Sequence, residues 1–282
     1  GKLRLAATRG SQPFTAVHTP MNEPVRTARS FASLALAVHE MRAVSKAFDA
    51  TINDVAVTIV DAGLHRYLES IGHPIAHPLV AMCPVSLREA GDQEATTKVS
   101  AIFVPLGAPA ASIGDRMERV MAAISAAKSD VTAMTKDAAM MYAISAFSLG
   151  EAADLARVGR WTGHMANFVL SNVPGAREQL YLSGAPLTGM FPVSTMGGGI
   201  GLNVTLASSA DVMGFGFIGN GEMLPQLNKL ASFTRAAFDE LKAMAAGQAV
   251  AAEIATTKAS RRPRRRAVKK AGKSASRTRP PA

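Results

Sequence analysis

A single cysteine, Cys83, serves 282 residues. That excludes an intrachain disulfide and fits a reducing cytoplasm. Set in the apolar run from Leu79 to Leu87, the thiol reads as a small buried hydrophobe rather than a reactive group. Long apolar runs are missing too. The nearest, Val99–Ala111, is too short for a bilayer and is broken by prolines, and no cationic-then-apolar leader opens the chain. The chain starts on Gly1 in place of methionine, which reads as a fragment, a processed product or a truncated reading frame. No internal repeat is present. Acids are missing where basic residues are densest: residues 258–282 hold 11 of the 31 Lys and Arg and none of the 21 Asp and Glu. The net charge of +10 therefore belongs to that tail, and the rest of the chain is close to neutral.

A chain of this length can bury a full core as one large or two small domains. Residues 1–29, with Pro13, Pro20 and Pro24 and little periodicity, read as a linker from a domain lying upstream. Ser30–Val38 reads as a strand and His39–Asp49 as a short helix. From Thr51 the stripe Ile52, Val55, Ile59, Gly63, Leu64 and Tyr67 marks the best helix of the chain. It opens on a capping box, in which the Thr51 hydroxyl and the Asp54 carboxylate cover orphan backbone donors. Leu79–Leu87 and Val99–Leu106 read as buried strands, Ser112–Ser129 and Lys136–Arg157 as helices, and Met223–Ala246 as a closing amphipathic helix. About five strands fill the interval from Ala166 to Gly219. Strands and helices mix without strict alternation, so the fold class is α/β: a mixed β-sheet layered with helices over residues 30–246. Residues 247–282 read as a disordered basic tail, too poor in apolar surface to order itself.

Polar residues interrupt the strands of the second half. Ser171, Asn172, Asn203 and Thr205 sit among alternating apolar positions, and a buried hydroxyl or amide costs about 1–3 kcal/mol without a partner. Such groups either pair across neighbouring strands or line a polar cleft. Pro174-Gly175 reads as a turn in which proline presets φ and glycine supplies φ > 0. Two glycine patterns lead nowhere. Gly214-Phe-Gly-Phe-Ile-Gly219 matches the dinucleotide fingerprint by letter, yet its glycines alternate with Phe215 and Phe217 as in a strand with one bare face. Gly197–Gly201 lacks the lysine of a phosphate loop.

Ser171-Asn-Val-Pro-Gly175, Leu180-Tyr-Leu-Ser-Gly184 and Phe191-Pro-Val-Ser194, together with Thr51-Ile-Asn-Asp-Val55 and Leu79–Arg88, resemble the C-terminal domain of the bacterial wax ester synthase/diacylglycerol acyltransferase family. The likeness runs from about Arg29 to about Ala245 and departs at Thr96-Thr97-Lys98, where the family more often has Gly-Asn before a basic residue. The resemblance implies the C-terminal half of a CoA-dependent acyltransferase fold. It also implies O-acylation of a diacylglycerol or long-chain alcohol, giving triacylglycerol or wax ester. Acyl-CoA would be co-substrate, with no cofactor, no metal and no covalent enzyme intermediate.

The family works through His-His-x-x-x-Asp-Gly, whose second histidine takes the proton of the attacking alcohol. That motif is absent here, so this chain supplies no catalytic residue and its base would lie upstream of Gly1. His18, His39, His65 and His164 stand isolated in sequence, and His73 and His77 flank prolines without further metal ligands. What this half would contribute is one wall of a central tunnel. Ser171 and Asn172 are its first candidates, with Ser194, Asn203, Thr205 and Asn53 behind them, and inter-strand pairing is the structural alternative. Partners would be acyl-CoA, acylglycerol or alcohol lipids, and an N-terminal half in cis or in trans. Residues 258–279 would add a non-selective contact with anionic membrane or nucleic acid. The expected location is cytoplasmic, or peripheral on membrane or lipid body. Two other classes stay open: a non-catalytic partner of a separate catalytic half, and a nucleic-acid binder acting through the tail.

Overall fold

The computed structural model describes residues 14–86, 99–158, 161, 163–176, 178–197 and 199–260. Strand β1 (Arg29–Ala37) runs into helix α1 (Val38–Ala47), and α2 (Ile52–Ser70) follows. The hairpin β2 (Val80–Ser86) and β3 (Val99–Pro105) leads to α3 (Ile113–Thr132) and α4 (Lys136–Leu155). Then come β4 (Phe168–Val173), the small ribbon β5 (Tyr181–Leu182) and β6 (Ala185–Pro186), β7 (Leu202–Ser209), β8 (Val212–Asn220) and α5 (Asn228–Ser260). Six strands form one sheet in the order β1-β8-β7-β4-β2-β3. Strand β4 lies parallel to both β7 and β2, and the other pairs are antiparallel. This is the mixed, helix-layered α/β sheet expected from the sequence.

The two-residue period of the strands divides the molecule. Ala32, Leu34 and Leu36 of β1, Phe215 and Phe217 of β8, Leu202, Val204 and Leu206 of β7, and Phe168 and Leu170 of β4 all enter the main core. Helices α1, α2, α3 and α5 cover that face, with α2 and α5 packed closely enough that a Cβ on Gly63 would meet Thr234 Oγ1 at 2.5 Å. Helix α2 starts as the capping box requires: Thr51 Oγ1 accepts from Asp54 N at 3.2 Å, and Asp54 Oδ2 accepts from Thr51 N at 2.8 Å. Its middle is fixed by a buried ion pair. Arg116 Nη1 donates to Asp61 Oδ2 at 2.7 Å, and Gly107 N donates to the same oxygen at 3.0 Å.

Three differences from the sequence reading have physical causes. The closing helix begins at Asn228 instead of Met223, because Pro225 disfavours helix at Leu224 and Gln226 takes φ +53°. It also continues to Ser260, because residues 247–260 are rich in alanine and lack proline, so composition that cannot build a core can still extend a helix. Gly175 does not occupy the left-handed region. Glycine is needed there for close approach: a Cβ would fall 1.6 Å from Ser208 O, while Gly175 N donates to Ser208 Oγ at 3.1 Å. The rest of the basic tail, residues 261–282, lies outside the described residues, as do Arg88 and Thr96-Thr97-Lys98.

Residues 14–28, read as an extended linker, are extended and firmly tied. Ala16 and His164 exchange backbone hydrogen bonds of 3.1 and 3.0 Å. Asn167 is wholly buried, donates from Nδ2 to Val17 O at 2.7 Å and to Asn22 Oδ1 at 2.9 Å, and accepts from Val80 N at 2.8 Å. Asn22 Nδ2 donates to Ala166 O at 2.8 Å. One amide thus joins β2, the entry to β4 and the N-terminal segment.

Candidate functional site

The sheet's second face carries Ser171, Asn203 and Thr205, and it is covered in two separate places. Over β2 and β3 lies α4, which presents Ala139, Ala143, Ala146 and Gly150 inward, with Tyr142 against Phe103 at 6.5 Å between ring centroids. Over β7 and β8 lies the segment 189–196. Small residues permit this: a Cβ on Gly214 would sit 1.9 Å from Met190 O, and one on Gly216 1.8 Å from Pro192 O. The bare strand face seen in the glycine pattern is therefore the bed of this segment. Strand β4 runs between the two coverings.

Asn203, Thr205 and Ser194 come together. Thr205 Oγ1 donates to Asn203 Oδ1 at 2.9 Å, so its single proton is spent and the 2.7 Å contact with Ser194 is a bond that Ser194 donates. Asn203 Nδ2 donates to Thr195 O at 2.9 Å. These groups fasten residues 194–195 onto β7. They pair neither across strands nor with an open cleft.

Ser171 and Asn172 behave differently. Register places Ser171 beside Thr205 on the second face and Asn172 beside Leu206 on the helix side. Ser171 is half-buried and Asn172 exposed at the end of β4, and neither side chain makes a hydrogen bond among the described residues. A hydroxyl and a carboxamide on consecutive residues of a central strand are thus free to meet a ligand. Val173, Tyr181, Leu182, Phe191 and Val193, which follow them in sequence, are large apolar residues left exposed. Asn53 sits half-buried in the first turn of α2, in the helix layer, so it does not share a face with Ser171.

Sequence reading missed one constellation. His18 Nδ1 and His164 Nε2 approach to 2.9 Å, and His18 Nε2 lies 3.0 Å from Glu23 Oε1. They line a cavity of about 590 Å³ together with Phe14, Arg26, Asp154 and Arg157. Burial, then the neighbouring Glu151, holds the Asp154 carboxyl above its usual range, and Arg157 works against this. The other two histidines that stand isolated in sequence also lie beside carboxylates: His39 Nδ1 meets Asp211 Oδ2 at 2.5 Å, and His65 Nε2 lies 3.4 Å from Asp61 Oδ1 in the core without a hydrogen bond between them. Separation in sequence hid the first pair, since 146 positions part its members. Among the described residues no group of three His, Cys, Asp or Glu side chains could hold a metal ion. Nor is any helix among them long and apolar enough to cross a membrane.

Comparison with known proteins gives these features a context. The profile of the WS/DGAT C-terminal domain matches residues 96–242, and that of the wax ester synthase/diacylglycerol acyltransferase catalytic domain matches residues 2–56. A Mycobacterium tuberculosis protein that carries the name of a diacylglycerol O-acyltransferase is 35% identical over 231 residues, covering 81% of this chain and 46% of that protein. Another from the same organism, Tgs4, named as a diacylglycerol O-acyltransferase too, is 36% identical over 242 residues, covering 85% and 51%. The solved wax ester synthase/diacylglycerol acyltransferase from Marinobacter aquaeolei VT8 superposes with a TM-score of 0.71 at 28% identity, over 82% of this chain and 53% of that one. A nonribosomal peptide synthetase shares the fold alone, with a TM-score of 0.54 at 11% identity over 84% of this chain and 24% of that one. The chain spans about half the length of the curated relatives it matches.

Proposed function

The chain belongs to the wax ester synthase/diacylglycerol acyltransferase family, and on that basis we propose that it forms the C-terminal half of an acyl-CoA-dependent O-acyltransferase. The substrates are acyl-CoA and a diacylglycerol or long-chain alcohol, and the products are triacylglycerol or wax ester with free CoA. In the reaction the alcohol oxygen bonds to the thioester carbonyl carbon, the C–S bond breaks, and the alcohol proton passes through a base to the departing sulfur. That base belongs to an N-terminal half bearing His-His-x-x-x-Asp-Gly, in cis or in trans. No cofactor beyond the co-substrate acyl-CoA enters the proposal.

The observation that supports the reading is a contrast among the polar strand residues: on the second face Asn203, Thr205 and Ser194 are spent on one another, whereas Ser171 on that face and Asn172 on the helix side make no side-chain hydrogen bond among the described residues. Ser171 and Asn172, on opposite faces of β4 at its exposed end, are the candidate donors to charge developing on the carbonyl oxygen in this reading, a contribution of the kind worth about 2.7–4 kcal/mol in a transition state. The first test uses purified residues 1–282 with palmitoyl-CoA and dioleoylglycerol, following release of CoA. The chain alone should give no turnover, and an N-terminal half from a relative added in trans should restore it. Turnover by the chain alone at the level of a full-length relative would overturn this division of labour.

The basic stretch 258–279 is proposed to hold the protein on anionic membrane, at up to about 1 kcal/mol per Lys or Arg near the surface, which suits lipid substrates and a cytoplasmic, peripheral location. The relatives lend no support to the nucleic-acid reading. Liposome binding by 1–282 and 1–256 decides the point: equal binding removes the tail from the lipid contact.

A further inference from the structure

A surface helix ordinarily turns its large apolar side chains to the core and its polar ones to water. Helix α4 does the reverse. Its buried residues are Ala139, Ala143, Ala146 and Gly150, small enough for the helix to lie close on β2 and β3, and Ser100 Oγ of β3 donates to Ala139 O at 3.0 Å. Met140, Met141, Ile144 and Phe147 recur at three- and four-residue spacing on the outward side and are all exposed. Leu155, three turns beyond Ile144, prolongs the stripe to about 22 Å at the rise of an α-helix. Trp161, the sole tryptophan of the chain, follows: its N donates to Val158 O, and Val158 N donates to Ala153 O within α4. Leu155 and Trp161 are each 84% exposed, so they project instead of lining a groove. Among the described residues the other four helices together expose one large apolar side chain, Met244.

Charge indicates what covers this face. Residues 138–150 contain no Asp, Glu, Lys or Arg, and their only polar side chains are Tyr142, Ser145 and Ser148. Lys136 and Asp137 open the helix, and the acids at its far end turn inward: Cβ atoms on Gly197 and Gly199 would lie 3.2 Å from Glu151 Oε1 and 3.3 Å from Asp154 Oδ1. A protein partner would ask for a polar rim and about one hydrogen bond per 100–200 Å², which this stripe cannot supply. An uncharged, fluid, apolar medium asks for neither. We propose that the outer face of α4 docks on a lipid bilayer, with Met140, Met141, Ile144, Phe147 and Leu155 among the acyl chains and Trp161 at the headgroup level. There an indole keeps its ring in apolar surroundings and its N–H in wet ones. The body of the protein takes the place of the charged face of a free interfacial helix. This contact differs in kind from the one proposed for residues 258–279, because it needs no anionic lipid and survives salt.

The test floats the whole chain with vesicles of dioleoylphosphatidylcholine, which carry no net charge, at low and at high salt. The chain should float at both, and lipids brominated on the acyl chain near the headgroup should quench Trp161. Met141→Glu and Ile144→Glu replace side chains that are 59% and 52% exposed, so the urea midpoint should hold. Each should lower the vesicle partition coefficient about tenfold or more. Failure to float with neutral vesicles overturns the proposal. So does binding that needs anionic lipid and disappears at high salt, which would leave attachment to the basic stretch alone. Undiminished flotation of both glutamate variants, or an unquenched Trp161 in the floated protein, overturns it as well. If Trp161 ignores vesicles and its emission shifts to the blue with the catalytic half of a relative, the face belongs to that half.

Discussion

On one strand, β7, Leu202, Val204 and Leu206 face the helices, and Asn203 and Thr205 face away. The two sides are stabilised by different physics. On the helix side large apolar side chains interdigitate, with Phe215 and Phe217 stacked at 6.2 Å between centroids. Burial there contributes about 1.5–3 kcal/mol per large side chain. On the other side the coverings approach through missing side chains at Gly214 and Gly216 and are fastened by hydroxyl and amide bonds worth about 0.5–1.5 kcal/mol each. The first arrangement keeps the sheet folded. The second leaves a strand of that sheet accessible along part of its length.

On this division Phe217→Ala should cost the most, about 3–5 kcal/mol, because the ring is wholly buried in the main core. Its midpoint in urea, compared with the unaltered chain, measures this. A loss below 1 kcal/mol would mean the helix side is not the main source of stability. Gly216→Val should cost less, about 1–3 kcal/mol, and in a particular place. Its Cβ falls on Pro192 O, so residues 189–196 should lift off and become a site of proteolysis while far-UV dichroism keeps its shape.

Smaller still is Thr205→Val. It strands Asn203 Oδ1 and frees Ser194, for about 1 kcal/mol. Cys83 serves as a reporter on the helix side without altering it. Burial pushes its thiol up to about 12, so at pH 8 only about one molecule in ten thousand carries thiolate. Alkylation should await global unfolding in every case and quicken with the stability lost, slightly in Thr205→Val and most in Phe217→Ala. Prompt alkylation of the folded chain would show the helix side to be open.

Much of this contrast could be read from the sequence, and the limits are instructive. Period-two alternation around Asn203 and Thr205 revealed a strand with one polar face, and Thr51-x-x-Asp54 fixed the start of α2 because capping is local. What eluded it was whatever joins distant segments. Nothing in Gly175 distinguishes a turn needing φ > 0 from a backbone needing room for Ser208 O. Nothing near His18 points to a partner 146 positions away, and a hydroxyl in a strand does not declare whether a loop will lie across it. Ser171, Asn172, Asn203 and Thr205 were found and Ser100, Ser208 and Ser209 were not, and only side-chain geometry separates the spent from the free.

The smallest effect on folding is expected at Asn172, and it bears most directly on the proposed function. Its side chain is exposed and has no partner among the described residues, so Asn172→Ala should leave the urea midpoint of residues 1–282 unchanged within about 0.5 kcal/mol, as for most surface substitutions. Ser171→Ala, half-buried beside Thr205, should be nearly as quiet. Joined to a catalytic half, the same variants should separate sharply from Thr205→Val. Loss of a donor aimed at developing charge lowers kcat about 10²–10³-fold, whereas loss of a fastening lowers activity only as far as it lowers the amount of folded protein. Measuring kcat per folded molecule for the three variants places each residue on one side or the other. If Asn172→Ala and Ser171→Ala both retain full kcat, the accessible end of β4 is not the tunnel wall. The site would then have to be sought elsewhere, with the cavity beside His18 and His164 as the next place to look.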